Sequence, residues 1–480
     1  MFFVLLIFSV LLTWYLWMYL SKTKALPPGP LPFPLFGNLP HFGLAVASGH
    51  TVVEQMLAWK ERYGSAVTVW LGPIPAVFVM DYDLAVDMFV RQGDAFLERV
   101  KPPLAATIRK GMGIVMADGE RWVEQRRFAL HTLRNFGLGR NLMQQKVLAE
   151  FDQWRQTIDE GKGADPKKLF NLLIGSIVSK LILGITFTED NLDEFWQLKQ
   201  KMEAFMNGVR LSDFFIGRMP FLGKHFDNAV KIQMELFDYM RQHYRKRREE
   251  IDSGKHSLEH GPQDFVDAYI MEMNARSSDN MGYFSEEQLF ATLLDMWTAG
   301  QESMVMTLLW SLILLVNNSE VQTKMREELL KVVGQERNVE ERDRLDLPYT
   351  VATINEIQRV GSILNLNLFR RSTKETTCGS LLLPRGTVAG VIMSFNPERF
   401  LDGEEGRRQQ QMMIPFGLGK RACMGEGLAR MELFLILSNL IKSFKVTAGS
   451  PEGWIPEEVV QKLHLFRRPK PFTCYFKNVQ

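Results

Sequence analysis

The sequence FGLGKRACMG, which runs from Phe416 to Gly425, places Cys423 among three glycines and two basic residues. The glycines allow tight turns and let the backbone approach a flat ligand closely, which side chains would prevent. Arg421, two residues before the cysteine, is suitably placed to pair with an anionic group. The residues after Cys423 have a helical pattern, so the sulfur lies near a helix amino terminus, where backbone amides favour a thiolate. This combination predicts a metal-binding cysteine rather than a buried and inert one.

The segment resembles the ligand loop of the cytochrome P-450 family of haem-thiolate monooxygenases, in particular the microsomal members with an amino-terminal membrane anchor. The resemblance extends over essentially the whole chain. It implies a mainly α fold with small β-sheets, in the form of a triangular single domain. It also implies haem b (iron protoporphyrin IX) as the cofactor, with Cys423 as the axial ligand of the iron and Phe416 and Arg421 beside it. A thiolate ligand favours O–O cleavage because it donates electron density toward iron-bound oxygen.

The bulk composition is that of a large folded protein. The 480 residues are 46% hydrophobic, which is enough for an extensive core, and the net charge of +2 shows no footprint of nucleic-acid binding. The three cysteines, Cys378, Cys423 and Cys474, are too few for a disulfide framework and indicate a reducing compartment. The eight histidines are scattered without metal-ligand spacing, so no histidine metal site is predicted.

The amino terminus is predicted to anchor the chain in a membrane. Residues 1–20 contain no charged side chain and would span about 30 Å as a helix, the thickness of a bilayer core. They lack the basic start and the small-residue cleavage site of a signal peptide. Residues 21–34 form a basic and proline-rich hinge, whose lysines keep the body in the cytosol by the positive-inside rule. The remaining residues, 35–480, are the predicted haem-thiolate catalytic domain, which the resemblance places at the endoplasmic reticulum.

Helical periodicity dominates the body after residue 50. Long amphipathic stretches predict helices at roughly 52–63, 117–135, 140–160, 166–185, 190–208, 226–251, 285–317, 318–333 and 349–360. Strand-like segments are short and lie at 66–71, at 76–80, around 381–383 and at 472–476. The pattern therefore predicts a mostly helical body with small peripheral sheets.

The helix predicted over 285–317 contains a polar, glycine-containing stretch from Ala299 to Ser303. A glycine and polar residues in the middle of a helix are costly unless they form a groove for a ligand. The stretch resembles the family's oxygen-binding groove, in which an acid–alcohol pair relays protons to reduced oxygen. The resemblance assigns this catalytic role to Glu302 and Ser303, although the family more often has threonine as the alcohol. The alternative is a kink without chemistry.

Two arginine-containing motifs are assigned to haem propionates by the same resemblance. Trp122 and Arg126 are four residues apart, so a helix aligns them, and they are predicted to hold one propionate. Arg370 stands where the family often has a histidine or arginine for the other propionate. Arg371 lies beside it, which leaves the choice between the two open.

A third motif is structural rather than catalytic. Glu356 and Arg359 match the family's Glu-x-x-Arg motif, and Arg399 completes it. The resemblance implies that the three form a buried network beneath the cysteine loop, so their role is in folding and haem retention. By spacing alone, the pair would be an ordinary surface ion pair.

The sequence departs from the family at two places. Asn365 stands where a proline is common. Only seven residues, Val388–Ser394, separate Thr387 from Phe395, whereas the usual strand, turn and short helix need roughly twenty. We expect the strand near Leu383 to lose its partner and the chain to hold haem weakly.

The predicted function is the insertion of one atom of O2 into lipophilic small molecules of the fatty acid, steroid or xenobiotic class. The electrons would come from NADPH through a flavoprotein reductase, and the other predicted partners are membrane lipid and the substrate itself. One alternative is a membrane-bound haem- or lipid-binding protein with little or no turnover, because the segment before Phe395 is shortened. Another is a haem-thiolate isomerase that needs no reductase. The apolar cluster from Phe214 to Leu222 is either core or a second membrane contact.

Overall fold

Helices form most of the body. The structure is a computed structural model that describes residues 24–137, 141–208, 223–276, 281–364, 367–391, 412–460 and 466–479, together with ten residues between positions 3 and 21. Several predictions lie outside the described residues, namely those on most of the anchor at 1–20, the cluster Phe214–Leu222, Asn365, and the segment 392–411 with Arg399.

The nine predicted helices are confirmed, with ends that shift by five residues at most. The helices are, in chain order, α1 (Leu39–Ala47), α2 (Val52–Tyr63), α3 (Tyr82–Val86), α4 (Pro103–Arg109), α5 (Gly119–Asn135), α6 (Asn141–Arg155), α7 (Pro166–Leu183), α8 (Leu192–Gly208), α9 (Gly223–Asp252), α10 (Phe265–Ala275), α11 (Glu286–Asn317), α12 (Ser319–Val333), α13 (Pro348–Gly361) and α14 (Glu426–Ser443). The helices that periodicity missed are the short or weakly amphipathic ones, such as α3 and α4, because a few residues cannot establish a period.

The four strand-like segments are confirmed as parts of three small sheets. The strands are β1 (Ala66–Leu71), β2 (Ile74–Val79), β3 (Glu98–Arg99), β4 (Arg370–Arg371), β5 (Thr376–Cys378), β6 (Leu381–Leu383), β7 (Val388–Val391), β8 (Phe444–Ala448) and β9 (Cys474–Asn478). The largest sheet has the order β1-β2-β7-β4-β3, and β5-β6 and β8-β9 form two-stranded sheets. Apolar side chains cover both faces of the large sheet: Val67 and Val69 pack on one side, and Val77 and Val79 on the other.

The expected loss of a strand partner near Leu383 is wrong. β6 pairs in antiparallel fashion with β5, so Leu383 lies opposite Thr376. β7 is an inner strand of the large sheet, parallel to β2 and antiparallel to β4. β7 therefore pairs with β2 along its whole length to Val391, and β4 pairs with its other edge at Val388 and Ala389.

Helix α11 forms the centre of the helical core. Its first turn is capped by the Ser285 hydroxyl, which accepts a hydrogen bond from the backbone N–H of Gln288 at 3.2 Å. Among the described residues, α11 alone is long and apolar enough to cross a membrane, but 78% of its apolar window is buried inside the body. The helix is continuous through Ala299–Ser303, the polar stretch that was predicted to form a ligand groove. Gly300 permits close packing, because an added Cβ would lie 3.3 Å from a methyl carbon of Val178 in α7.

The proline-rich hinge lies against the large sheet. The Thr68 hydroxyl of β1 donates to the Pro27 carbonyl at 2.6 Å, and the Thr68 N–H donates to the Pro28 carbonyl at 3.1 Å. An added Cβ on Gly29 would lie 1.9 Å from the Thr68 carbonyl oxygen, so only glycine fits there. The extended conformation that proline imposes thus lets the hinge follow the edge of β1.

Candidate functional site

The cysteine loop is a tight turn between a short 3-10 segment and α14. The Cys423 N–H donates to the Phe416 carbonyl at 2.8 Å and closes the turn. Gly419 has a positive φ of 67°, and an added Cβ would lie 1.8 Å from the Phe89 carbonyl oxygen. Any other residue at this position would push the loop away from the body, so Gly419 permits the tight turn that was predicted. The close approach of the loop to a flat ligand stays a prediction.

The sulfur of Cys423 faces an internal cavity of about 810 Å³. The exposed surface of the Cys423 side chain faces the cavity, and protein surrounds the side chain otherwise. Burial raises the pKa of the Cys423 thiol, whereas the Gly425 N–H and Arg126 act to lower it. The predicted stabilisation by the helix start is therefore real but smaller than the cost of burial, and a bound cation would be needed to favour the thiolate.

Four guanidinium groups, which we call the arginine cluster, lie around this loop: Arg99, Arg126, Arg370 and Arg421. Burial and the neighbouring cations lower the pKa of Arg99 to about 9, that of Arg370 to about 10 and that of Arg421 to about 9. Among the described residues, Asp118 is the only carboxylate that pairs with the cluster, at 2.7 Å from Arg421. The cluster thus carries more positive charge than the described acids compensate.

This surplus of cations is the observation that tests whether haem fits. The Arg99 Nε is buried and has no hydrogen-bond partner among the described residues, and Arg99 lines the cavity together with Arg126 and Arg421. A buried guanidinium normally pairs with a carboxylate or another anion. The two propionates of haem supply two such charges, so the donor set of the cavity wall fits this cofactor.

Arg421 is already held by protein groups. Its Nε donates to the Leu97 carbonyl at 2.7 Å, and its Nη2 donates to the Ala117 carbonyl and to Asp118, each at 2.7 Å. Its guanidinium carbon lies 3.9 Å from the ring centroid of Trp122. These contacts fix the guanidinium next to the cavity, and its predicted pairing with a propionate stays a prediction.

The predicted pair of Trp122 and Arg126 lies beside the cysteine. The Arg126 guanidinium carbon is 5.8 Å from the centroid of the Trp122 ring. Its Nη2 donates to the Ala422 carbonyl at 2.7 Å, the residue just before Cys423. Both side chains line the cavity, so the helix aligns them as the spacing predicted.

The structure distinguishes Arg370 from Arg371. Arg370 is buried, and its Nη2 donates to the Leu418 carbonyl of the cysteine loop at 2.7 Å, whereas Arg371 is exposed. Neither is among the residues that line the cavity, while Arg99 is. Arg99 lies opposite Arg370 in the pairing of β3 with β4. Of the two adjacent arginines, Arg370 is the one near the site.

Glu302 and Ser303 both line the cavity, but their polar groups have protein partners. The Glu302 Oε1 pairs with Nζ of Lys199 in α8, and Oε2 lies 3.1 Å from an Nη2 of Arg468. The Ser303 hydroxyl donates to the Ala299 carbonyl one turn earlier, at 2.6 Å. The predicted acid–alcohol pair is therefore present on one helix, with its acid held by two cations that the sequence did not reveal.

Glu356 and Arg359 form the buried pair that the motif predicts. The Arg359 Nε lies 2.8 Å from one Glu356 carboxylate oxygen, and Nη2 lies 3.0 Å from the other. Both side chains are less than a tenth exposed. This bidentate geometry is the strong form of an arginine–carboxylate contact, and Arg399, the predicted third member, is outside the described residues.

Comparison with known proteins identifies the family. The sequence model of the family described as Cytochrome P-450 matches residues 27–474. The chain belongs to the cytochrome P-450 family. Cytochrome P-450 2B2 of Rattus norvegicus is 32% identical over 445 residues, which are 88% of this chain and 88% of the relative. Cytochrome P-450 2A1 of the same organism is 31% identical, covering 91% of this chain and 90% of the relative, and cytochrome P-450 2C1 of Oryctolagus cuniculus is 31% identical, covering 91% of each.

Membership of the cytochrome P-450 family establishes the chemistry of the chain at a general level. The protein is an oxidoreductase, a haem-thiolate monooxygenase that binds haem b through a cysteine thiolate. The predicted fold class is confirmed as well, since the body is mainly helical with small sheets.

Four residues near the cytochrome P-450 site escaped sequence reasoning: Arg99, Asp118, Lys199 and Arg468. Arg99 belongs to a two-residue strand, and Asp118 immediately precedes α5, so neither has a periodic signal. Lys199 is 103 residues from its partner Glu302 in sequence, and Arg468 is 166 residues away. The one available hint is that Lys199 is buried whereas Lys201, the other lysine of α8, is exposed, and burial is not visible in one sequence.

Proposed function

We propose that this chain inserts one atom of O2 into lipophilic small molecules, of the fatty acid, steroid or xenobiotic class, at the cavity above Cys423. The observation that carries the proposal is one cavity whose lining includes the Cys423 thiol, three arginines of the arginine cluster and many apolar side chains. In this proposal Cys423 is the axial ligand of the iron. The bound haem supplies the chemistry of oxygen activation, and the chain supplies the ligand, the charge compensation and the substrate pocket.

The substrate class is inferred from the cavity wall. Apolar side chains from several elements contribute to it, among them Ile114, Val178, Leu181, Phe205, Met206, Met296, Ile363 and Phe466. A cavity of several hundred Å³ with a mainly apolar wall is typical of sites for small lipophilic ligands. The thioethers of Met206 and Met296 adapt to different shapes, which supports a range of substrates rather than one.

Haem retention is assigned to the arginine cluster with Trp122. Arg99, Arg126 and Arg421 all line the cavity directly. Arg370 stabilises the cysteine loop by donating a hydrogen bond to the Leu418 carbonyl. We infer that the propionates lie on this side, because it is here that buried positive charge exceeds negative charge.

The proposed setting is the cytosolic face of the endoplasmic reticulum membrane. Residues 1–20 would be a single-pass anchor, 21–34 the hinge and 35–480 the catalytic domain. Electrons would come from NADPH through a flavoprotein reductase. The contact of Pro27 and Pro28 with β1 supports a body held close to the membrane rather than on a free tether.

The alternative of a haem- or lipid-binding protein without turnover was based on the shortened segment before Phe395. However, β7 continues to Val391 paired with β2, and β4 pairs with it at Val388 and Ala389, so this strand forms despite the shortened segment. The weak haem retention stays a prediction, since residues 392–411 are outside the described chain. A turnover assay with NADPH and a flavoprotein reductase decides between these functions.

The test of the site is the carbon monoxide difference spectrum of the reduced protein. Wild type should show the red-shifted Soret band of a thiolate-ligated haem, and Cys423→Ser should lose it. Cys378→Ala and Cys474→Ala are matched controls, because both cysteines are fully buried in the core, and burial raises the pKa of each, to about 11 and about 12. A normal band in Cys423→Ser would contradict the assignment of the ligand.

A further inference from the structure

A surface cleft of about 890 Å³ lies beside Trp122. Residues of α5 and α10 line it, together with residues at β3 and in the chain just before α11. We call it the Trp122 cleft. Among the described residues, Trp122 alone lines both this cleft and the cavity at Cys423. The two are therefore separate sites that share one side chain.

Aromatic side chains form much of the surface of the Trp122 cleft. Phe128, Tyr283 and Phe284 line it, and the ring centroids of Phe128 and Phe284 are 5.2 Å apart in an edge-to-face arrangement. Val123 also lines the cleft, and Val123 and Tyr283 are 42% and 37% exposed, whereas most large apolar side chains of the body are buried. Exposed apolar side chains that converge on one cleft are typical of a binding site.

Two of the rings in the Trp122 cleft already hold a cation. The guanidinium carbon of Arg276 lies 4.1 Å from the ring centroid of Phe284, and that of Arg121 lies 5.3 Å from the ring centroid of Tyr283. A cation over an aromatic ring is attracted by the negative face of the ring. The aromatic surface of the cleft is thus one that attracts positive charge.

Carboxylates outnumber cations in the lining of the Trp122 cleft. The described residues contribute four carboxylates and two guanidinium groups, those of Glu98, Glu120, Glu124, Glu272, Arg127 and Arg276. Arg276 is shared between Glu124 and Glu272, at 2.8 Å from each. In the described part of the chain, Glu98 and Glu120 have no ion-pair partner. His131 can add at most one positive charge, so the carboxylates stay in excess.

We propose that the Trp122 cleft binds a lipophilic organic cation, that is, an ammonium group attached to an aromatic or branched alkyl group. The ammonium group pairs with the carboxylates of Glu98 and Glu120, and the apolar part covers Val123 and Tyr283. The volume of the cleft is that of a site for a small molecule. Aromatic surfaces with nearby acids are the chemistry by which proteins recognise quaternary ammonium groups. The inference does not depend on the proposed function, because the cleft lies outside the cavity at Cys423.

Two competing explanations need to be separated from this proposal. The cleft could take any apolar molecule without regard to charge, or an organic cation could bind in the apolar cavity at Cys423 instead. Naphthylmethyl-trimethylammonium tests both, because its charge is permanent and its nitrogen has no lone pair with which to ligate iron. Neopentylnaphthalene has the same shape without the charge. Phenylimidazole coordinates haem iron through its ring nitrogen and so blocks the cavity at Cys423.

The experiment is equilibrium dialysis of the two naphthalene compounds with the full-length haem-loaded protein, with and without saturating phenylimidazole. We expect one cation to bind per chain, about tenfold or more tightly than the neutral compound. Phenylimidazole should leave the affinity for the cation unchanged. High salt should weaken binding of the cation and not that of the neutral compound, because salt screens exposed charges.

The double variant Glu98→Gln with Glu120→Gln should bind the cation about tenfold more weakly and the neutral compound as wild type does. The matched control is Glu320→Gln with Glu327→Gln, which removes two exposed carboxylates of α12 and should bind both compounds as wild type does. Val123→Lys places an ammonium group in the cleft and should weaken binding of the cation by a similar factor. It provides the same test if the double variant does not fold.

Three results would overturn the proposal. Equal affinities for the cation and the neutral compound would show that charge is not recognised. Displacement of the cation by phenylimidazole would place it in the cavity at Cys423. Binding of the cation to the double variant as tightly as to the control would exclude Glu98 and Glu120 as its partners.

Discussion

The arginine cluster and the group of Glu203, Lys199, Glu302 and Arg468, which we call the Glu302 network, are two sets of charged side chains beside one cavity. They differ in how those charges are compensated. The cluster has four guanidinium groups and, in the described part of the chain, one carboxylate partner, Asp118. The network has two cations, Lys199 and Arg468, and two carboxylates, Glu203 and Glu302. Burying a charge is costly unless an opposite charge compensates it. This difference indicates that the arginine cluster binds an anionic ligand, whereas the charges of the Glu302 network balance one another without a ligand.

The same comparison tells apart two kinds of functional residue. A group with unpaired charge in a cavity wall indicates a cofactor or substrate that the chain alone does not supply. A group with fully paired charge indicates positioning or transport within the protein. The variants below test this distinction through stability, haem affinity and coupling.

Breaking the balanced network should have the largest effect on stability. Lys199→Met removes one of the two cations that hold Glu302 and should lower the free energy of unfolding by about 3–5 kcal/mol, the cost of breaking a buried ion pair. Urea denaturation measures it. Lys201→Met removes only a surface pair and should change stability by less than about 1 kcal/mol. Equal effects of the two substitutions would show that burial does not distinguish the two lysines.

Glu432 belongs to neither set of charges. It is a buried acid in the cavity wall, and its Oε1 has no hydrogen-bond partner among the described residues. Burial raises the pKa of Glu432 to about 8. Between its ordinary value of 4.5 and this value, the folded state keeps a proton that the unfolded state has lost, so stability falls as pH rises. The loss approaches about 1.4 kcal/mol per pH unit.

Relative to wild type, Glu432→Gln should therefore gain about 2.5 kcal/mol of stability between pH 5 and pH 7. Urea denaturation at several pH values measures the difference. A difference between the two proteins that does not depend on pH would mean that the carboxyl is compensated in the folded chain.

A substitution in the arginine cluster should have opposite effects on the stability of the haem-free chain and on the affinity for haem. Arg99→Met removes an uncompensated cation, so the haem-free chain should be as stable as wild type or more stable. The same variant should bind haem about 10- to 100-fold more weakly, because a charge-assisted contact to a propionate is lost. Thermal unfolding of the haem-free chain and a haem titration measure the two effects.

The control for this prediction is Arg430→Met. Arg430 lies in α14 near the loop, but its side chain is 35% exposed and pairs with Glu426 one turn earlier. The variant Arg430→Met should leave haem affinity unchanged. Destabilisation of the haem-free chain by Arg99→Met would indicate that the cluster is compensated without a ligand.

Ser303→Thr should have the smallest effect. The Ser303 hydroxyl already donates to the Ala299 carbonyl, a bond that threonine also makes within helices. We expect a change of less than about 0.5 kcal/mol in stability and at most a modest rise in the ratio of product to NADPH consumed. Ser303→Ala, which lacks the hydroxyl, should instead increase peroxide release. A fall in coupling with threonine would show that the orientation of the hydroxyl differs from the family's.

Features that depend on nearby residues could be predicted from the sequence. The cysteine loop was predictable because its turn needs glycine at stated positions, as Gly419 shows against the Phe89 carbonyl. The Glu356–Arg359 pair was predictable because residues three apart share a helix face. The pairing of β7 was not, since the missing length before Phe395 suggested a broken strand, and strand partners come from distant parts of the chain.

The sequence by itself determined the cysteine loop, the mainly helical class and the place of Glu302 and Ser303 on α11, because each depends on spacing within one element. Only the tertiary structure decided what compensates the charges. Arg99 is brought beside Arg370 by the pairing of β3 with β4, and Lys199 is brought against Glu302 by the packing of α8 near α11. Burial turns these residues from ordinary surface cations into parts of the site, because the energy of a charge depends on the surroundings that the whole fold provides.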